Sequence, residues 1–427
     1  MIEQLQTKGD IERLGNLIRS EKPILNPTLN MLQDYRISHK DALSDVFKIL
    51  CICSKQIRKD SIVTYRIKRI DSIIGKLDRY PKMQFDRMWD IAGCRCILKS
   101  DNDVYRLYEL LKKKLYIRKV KDYISEPQPE GYKSLHLYLS KSINDAKIIE
   151  VQLRSQVHHN WATLVEITDF IFEERLKECE SNTELLRFHY LLSKKDNLSS
   201  KDHCEIFRIV DKYNYLERLN SVFTRNYLSV RKQWMNIEGK LNQSFFLIEA
   251  RINEPPKIDS FLSFTDAERE YFNRFKVSSN SNIVLTNIQK ASYKHVSIAY
   301  SNYILTVHQF IDDCFDMLEG LIIQSVRDRK IFDYIKYYGL YSRVVVSTIN
   351  NLNSEIGAID VYYKKNPRNI KVKEWVSDIN DQLNRRQQKS ERLSKLFIKN
   401  GPKTLISNMF FLIVTFFITG RYKRRIK

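Results

Sequence analysis

SIVTYRIKRIDSIIGK, residues 61–76, changes period in its middle. Its first half alternates as a strand does, whereas Ile70, Ile73, Ile74 and Leu77 return at helical spacing. A strand that runs straight into an amphipathic helix sets the class of everything around it. The short runs that follow, GCRCILK, KLYIRKV, SLHLYLS and AKIIEVQLR, repeat the strand texture, with helical segments near 70–79 and 102–114 between them. The pattern predicts an α+β fold, a mixed sheet of about five strands with flanking helices.

Working outward, residues 1–60 read as a helical scaffold, with Asn26-Pro27 marking a helix entry and DALSDVFKILCICSKQI an amphipathic stretch. After Gln156 the period turns helical through HHNWATLVEITDFIFEERLKECE. Asn253-Glu254-Pro255-Pro256 breaks it, which places a boundary between a domain over 61–250 and a mostly α-helical region over 257–400. The uncharged run TLISNMFFLIVTFFITG, residues 404–420, is at the lower length limit for a bilayer span and is followed by a basic tail, 421–427. Two readings fit it, a membrane attachment and a helix buried in protein; cations on both flanks set no clean orientation.

Composition narrows the class further. A chain of 427 residues that is 43% hydrophobic, with 11 Gly and 9 Pro, buries a core and favours helix over a turn-rich all-β design. A net charge of +21 attracts polyanions, with nucleotides, RNA and anionic lipid as the partner classes. Seven cysteines, with Cys51/Cys53 and Cys94/Cys96 one residue apart, lack zinc-loop spacing and read as reduced and structural. The first residues, MIEQLQTKGDIERLGN, lack a signal peptide's apolar core, so the catalytic region is expected to face the cytosol.

Three stretches place charge where a triphosphate and a metal would need it. A helix opening near Lys68 would align Lys68, Ser72 and Lys76 on one face, a phosphate-binding arrangement that also describes any solvated lysine face. Asp90 enters a strand through Gly93, ahead of Arg95. A carboxylate there suits Mg²⁺, and the glycine permits close approach of substrate or a neighbouring backbone. In the strand at 147–154, Glu150, Gln152 and Arg154 share one face while Ile149, Val151 and Leu153 take the other. Between these runs a loop, KDYISEPQPEGYKSLH from Lys121 to His136, delivers Tyr132 to a strand entry, where its ring can stack on a base or close a core.

In this order RIKRIDSIIGK, DIAGCR, KDYISEPQPEGYKSLH and EVQLR resemble the successive motifs of the RelA/SpoT homologue synthetase domain, over core residues 66–170. The resemblance implies a nucleotidyltransferase-like fold. It implies transfer of pyrophosphate from ATP to the ribose 3′-OH of GDP or GTP, with Mg²⁺ as cofactor, making (p)ppGpp and AMP. By match of position, Arg66 would lie against adenine, Lys68, Ser72 and Lys76 would hold the ATP phosphates, and Arg95 would line that side. Asp90 and Glu150 would bind Mg²⁺, with Glu150 also orienting or deprotonating the attacking hydroxyl. Tyr132 would stack on the acceptor guanine, with Lys121, His136, Gln152 and Arg154 on the acceptor side.

The chain departs from the family pattern at Gln128, where a lysine usually follows the proline, and at Glu166, where a histidine usually stands five residues past Trp161. His39 is the one histidine ahead of the motifs, so no alarmone hydrolase activity is expected. Two alternatives accompany the leading reading: toxin-like pyrophosphorylation of the tRNA 3′ end, and a non-catalytic nucleotide-binding module at a membrane. Retention of both Asp90 and Glu150 argues against the last.

Overall fold

The computed structural model describes residues 7–173, 176, 182–194, 197–237, 243–250, 256–277, 282–288, 293–299, 308–365 and 370–400. Three helices lead in: α1 (Lys8–Ser20), α2 (Asn26–Ile37) and α3 (Lys40–Ile57). The central run is β1 (Ile62–Ile67), α4 (Ile70–Arg79), β2 (Ala92–Leu98), α5 (Asp101–Lys112), β3 (Tyr116–Asp122), β4 (Leu135–Ser140), β5 (Ile149–Ser155) and α6 (Gln156–Phe172). After α7 (Thr183–Ser193), α8 (Ser200–Lys212) and α9 (Tyr215–Asn236) come β6 (Phe245–Ala250), β7 (Lys257–Phe261), α10 (Phe264–Val277), β8 (Asn282–Ile288) and α11 (Tyr293–Ala299). Helices α12 (His308–Arg327), α13 (Ile331–Lys365) and α14 (Ile370–Asn400) follow.

The sheet runs β3-β4-β5-β2-β1-β8-β6-β7. Among the described residues β2 and β5 alone pair in parallel, Gly93 opposite Glu150, and the other pairings are antiparallel, so the sheet is mixed as expected. Its strand count exceeds the expected five because β6, β7 and β8 join on the far side of β1. The region over 257–400 is mostly α-helical as expected, but β7 and β8 lie within it and the sheet continues across the expected boundary near 250. The physical reason is twofold. A short apolar run such as NIVLTNI has no period of its own to separate strand from buried helix. Left alone, β1 would expose an unpaired edge, and β8 closes it with Ile62 opposite Ile288 and Thr64 opposite Thr286.

Residues 1–180 and 229–305 form one unit, and 181–228 with 306–427 another. In the first, alternation sends Val63, Tyr65, Cys94, Cys96, Leu137, Val151 and Leu285 to one face of the sheet, under Phe47 and Leu50 of α3, Leu107 of α5 and Tyr271 of α10. Thr64, Arg66, Arg95, Glu150 and Gln152 are left for the opposite face. A second apolar cluster packs Leu14, Ile18, Leu32 and Tyr35 of α1 and α2 against Ile70, Ile73 and Leu77, which fixes how α4 is turned. The second unit is helical; Phe188 meets Tyr215 at 5.0 Å and Trp375 is fully buried.

The six described cysteines are free, and all except Cys204 are buried. No helix among the described residues is long and apolar enough to cross a membrane. Residues 404–420 and the tail 421–427 lie outside the described residues.

Candidate active site

The corner between β1 and α4 sets the basic side. Lys68 follows the strand and precedes the helix, which opens at Ile70 and not at Lys68. Its backbone N–H donates to Ile91 O at 2.8 Å and its carbonyl accepts from the buried Arg36 Nε at 2.9 Å. One residue earlier, Ile67 N–H donates to Tyr271 Oη at 2.9 Å. With the backbone held at both residues, the Lys68 side chain points one way. Its Nζ lies 2.7 Å from Asp90 Oδ2, and Lys76 Nζ, two turns along α4, is 2.8 Å from both Asp90 oxygens. Ser72 lies half-buried one turn before Lys76.

Burial alone would raise the Asp90 pKa, but the two ammonium groups overcome it and bring it down to about 2. Lys68 moves down as well, because its own burial outweighs the attraction of Asp90. One negative charge between two cations leaves this corner net positive, which suits an incoming phosphate.

Gly93 lies in β2, just after the turn that carries Asp90, and pairs with Glu150 of β5. A Cβ there would come within 2.9 Å of the Glu150 carbonyl, so it is the neighbouring backbone whose approach the glycine permits. Arg66, Lys68, Asp90, Arg95, Glu150 and Gln152 line one cavity of about 110 Å³, together with Val284 and Ala299. The two acids, sixty residues apart in sequence, thus face one space. Arg95 donates to Gln152 Oε1 at 3.4 Å. Burial, then the neighbouring Arg154 and Arg66, push its pKa down to about 9, with Glu166 acting against them. Glu166, five residues past Trp161, is therefore electrostatically tied to Arg95.

Both oxygens of Glu150 are engaged. His136 Nδ1 is 3.0 Å from Oε1, and Gln152 Nε2 donates to Oε2 at 3.0 Å. Burial would raise Glu150, yet His136 and Gln152 hold it below the usual carboxylate value. His136 is itself shifted up: burial opposes the charge, and Tyr132 and Glu150 favour it more. Replacing His136 by Ala removes the main group that lowers Glu150, so the acid limb of kcat/KM against pH is expected to move to higher pH. An acid limb that stays in place would show that His136 does not tune Glu150.

Gly131 has φ 96°, a conformation that favours glycine, and so turns the loop to deliver Tyr132. Tyr132 Oη lies 2.7 Å from His136 Nε2 and the Arg154 guanidinium sits 4.9 Å over the ring. Arg154 also donates to Gln152 Oε1 at 3.0 Å. Lys121, paired with His136 across β3 and β4, reaches over Tyr138 at 5.9 Å. Of the expected residues, Arg66, Lys68, Asp90, Arg95, Glu150 and Gln152 line the cavity, Lys76, His136 and Arg154 bond to residues that do, Tyr132 bonds to His136 and Arg154, and Ser72 and Lys121 lie outside that set.

The sequence reading missed Tyr138 and Thr64. Tyr138 stands opposite Glu150 in the sheet and bonds to it, and Trp89 packs on its ring at 5.7 Å. Alternation in SLHLYLS, which puts His136 and Tyr138 on one face, was a usable signal for it. For Val284 and Ala299 no local signal existed, since they come from outside the motif-bearing run.

A divalent metal is tested by the donor set. Among the described residues no three His, Cys, Asp or Glu side chains are grouped to hold a metal. Two carboxylates facing one cavity are nevertheless what Mg²⁺ uses when substrate phosphates and water complete its shell, so the residues fit that ion.

Residues 65–170 match the family model described as a region found in RelA / SpoT proteins. The chain is 32% identical over 158 residues to GTP pyrophosphokinase YwaC of Bacillus subtilis, covering 34% of this chain and 75% of that protein. GTP pyrophosphokinase YjbM of the same organism is 30% identical over 125 residues, 27% of this chain and 59% of that one. Among solved structures, small alarmone synthetase 2 of B. subtilis covers 43% of this chain and 98% of its own, at 25% identity and a TM-score of 0.33.

Proposed function

The chain belongs to the RelA/SpoT family, and we propose on that premise that it transfers pyrophosphate from ATP to the ribose 3′-OH of GDP or GTP, releasing AMP. The observation that carries this is the one cavity that Asp90, Glu150 and Lys68 all line, with Lys68 and Lys76 both on the Asp90 carboxylate. A binding module has no use for two acids at a polyphosphate site.

The residues divide the work between donor and acceptor. Lys68 and Lys76 leave Asp90 for the ATP phosphates, and Ser72 on the same helix adds a hydroxyl. Arg66 and Arg95 flank the donor base, as guanidinium planes do. Tyr132, backed by Arg154, offers a ring face to the acceptor base, with Lys121 close to the loop. Glu150 orients the 3′-hydroxyl and takes its proton as the oxygen attacks the β-phosphorus; the bond from that phosphorus to the α,β-bridging oxygen breaks and AMP leaves. Asp90 and Glu150 would hold Mg²⁺, which when bound neutralises the charge gathered on the phosphates. Positioning and electrostatics are most of what such a transfer requires.

The test offers the full chain Mg²⁺ and ATP labelled in the β and γ phosphates, with GDP, GTP and bulk tRNA as parallel acceptors. Label in a guanosine tetra- or pentaphosphate is the expected result. Label on tRNA alone would replace the acceptor, and transfer to none of them would leave nucleotide binding without catalysis.

A further inference from the structure

The donor side of the cavity has a wall that the family-matched stretch does not supply. Val284 of β8 and Ala299 at the end of α11 line it with Arg66 and Arg95, and both lie beyond residue 170. Pairing of β8 with β1 matches Thr64 with Thr286 and Tyr65 with Leu285, so the same register carried one step further sets Val284 beside Arg66. Helix α11 is fastened at both ends. His159, fully buried on α6, has Nε2 2.9 Å from the Ile298 carbonyl, one residue before Ala299. A carbonyl only accepts, so Nε2 carries the proton; burial, then Arg95 and Arg154, hold that imidazole neutral with a pKa of about 3. At the other end the Arg231 guanidinium lies 4.0 Å over the Tyr293 ring.

Small apolar side chains beside guanidinium groups in a narrow space match one part of a nucleotide. The phosphates need cations and the ribose needs hydrogen bonds, whereas the base presents a flat apolar face. We propose that Val284 and Ala299 are specificity-determining residues for the donor, forming an apolar wall next to Arg66 against which the base of ATP packs, and that their small size sets the room left for the ring. This rests on the reading of Arg66 and Lys68 as the donor side of the site. Residues of the added strands and α11 thereby take part in donor selection, not only in support of the sheet.

The test compares two probes, ATP and inorganic tripolyphosphate, titrated in Mg²⁺ into the full-length wild-type and Ala299→Leu chains. Three added carbons in a cavity of about 110 Å³ are expected to weaken ATP binding at least about tenfold. Tripolyphosphate, which has no base, is expected to bind as before. Unchanged ATP affinity would overturn the proposal, and so would equal weakening of both probes, which would mean a disturbed site as a whole. Val284→Ala, which adds no atoms and cannot clash, is the second variant: it is expected to weaken ATP a few-fold and leave tripolyphosphate alone, and equal effects on the two probes would again count against the wall. A wild-type chain that binds ATP yet transfers nothing would sink the proposed function and leave this inference standing.

Discussion

A Glu150→Gln chain is expected to fold and to lose pyrophosphate transfer by about 10²–10⁴-fold in kcat, the range for removing a positioned proton acceptor. The substitution keeps shape. Its amide oxygen can still accept from Gln152 Nε2, and its amide N–H can donate to His136 Nδ1 once that imidazole is neutral. What disappears is the carboxylate charge, and with it one of the two groups, Tyr132 being the other, that raise the His136 pKa. The measurement is kcat with labelled ATP beside a thermal melt. A variant retaining more than about a tenth of wild-type turnover, well above that range, would remove Glu150 from the chemistry.

Replacing Asp90 by Asn has a different signature, because this side chain answers two cations. With Lys68 and Lys76 left facing each other without a counter-charge, stability is expected to fall by about 3 kcal/mol. Transfer is expected to drop about 10³-fold, as the loss of several kcal/mol of metal-assisted charge stabilisation implies. ATP binding without Mg²⁺ should tighten, since both ammonium groups are then free for phosphate. The stability contributed by Asp90 has a direction in pH: its folded pKa is depressed to about 2, so the contribution is present above the unfolded value and fades as pH falls toward 2. Melts between pH 2 and 5 in both chains check this. Magnesium-dependent transfer within tenfold of wild type would show that Asp90 is not a metal ligand.

Much of the site was legible because its residues sit in runs whose period is plain. Alternation in KIIEVQLR assigns Glu150, Gln152 and Arg154 to one face, and the sheet puts them there. Helical spacing related Lys68 to Lys76, though the helix begins two residues after Lys68, at a corner held by Arg36 and Tyr271 from distant parts of the chain. No local pattern announces such a hydrogen bond. Tyr138 was readable in principle, by alternation, but nothing local says which strand will lie beside β4.

The sequence by itself determined the order of strand and helix from β1 to α6, the sorting of side chains between the two faces of each strand, and the glycines at 93 and 131, because period and backbone freedom are properties of neighbouring residues. Only the tertiary structure decided that Asp90 and Glu150 share one cavity, that β6, β7 and β8 extend the sheet past β1, and that Val284 and Ala299 also line that cavity. Those facts depend on which strand edges pair and which apolar faces meet, and such pairings are settled by the whole chain burying its surface at once.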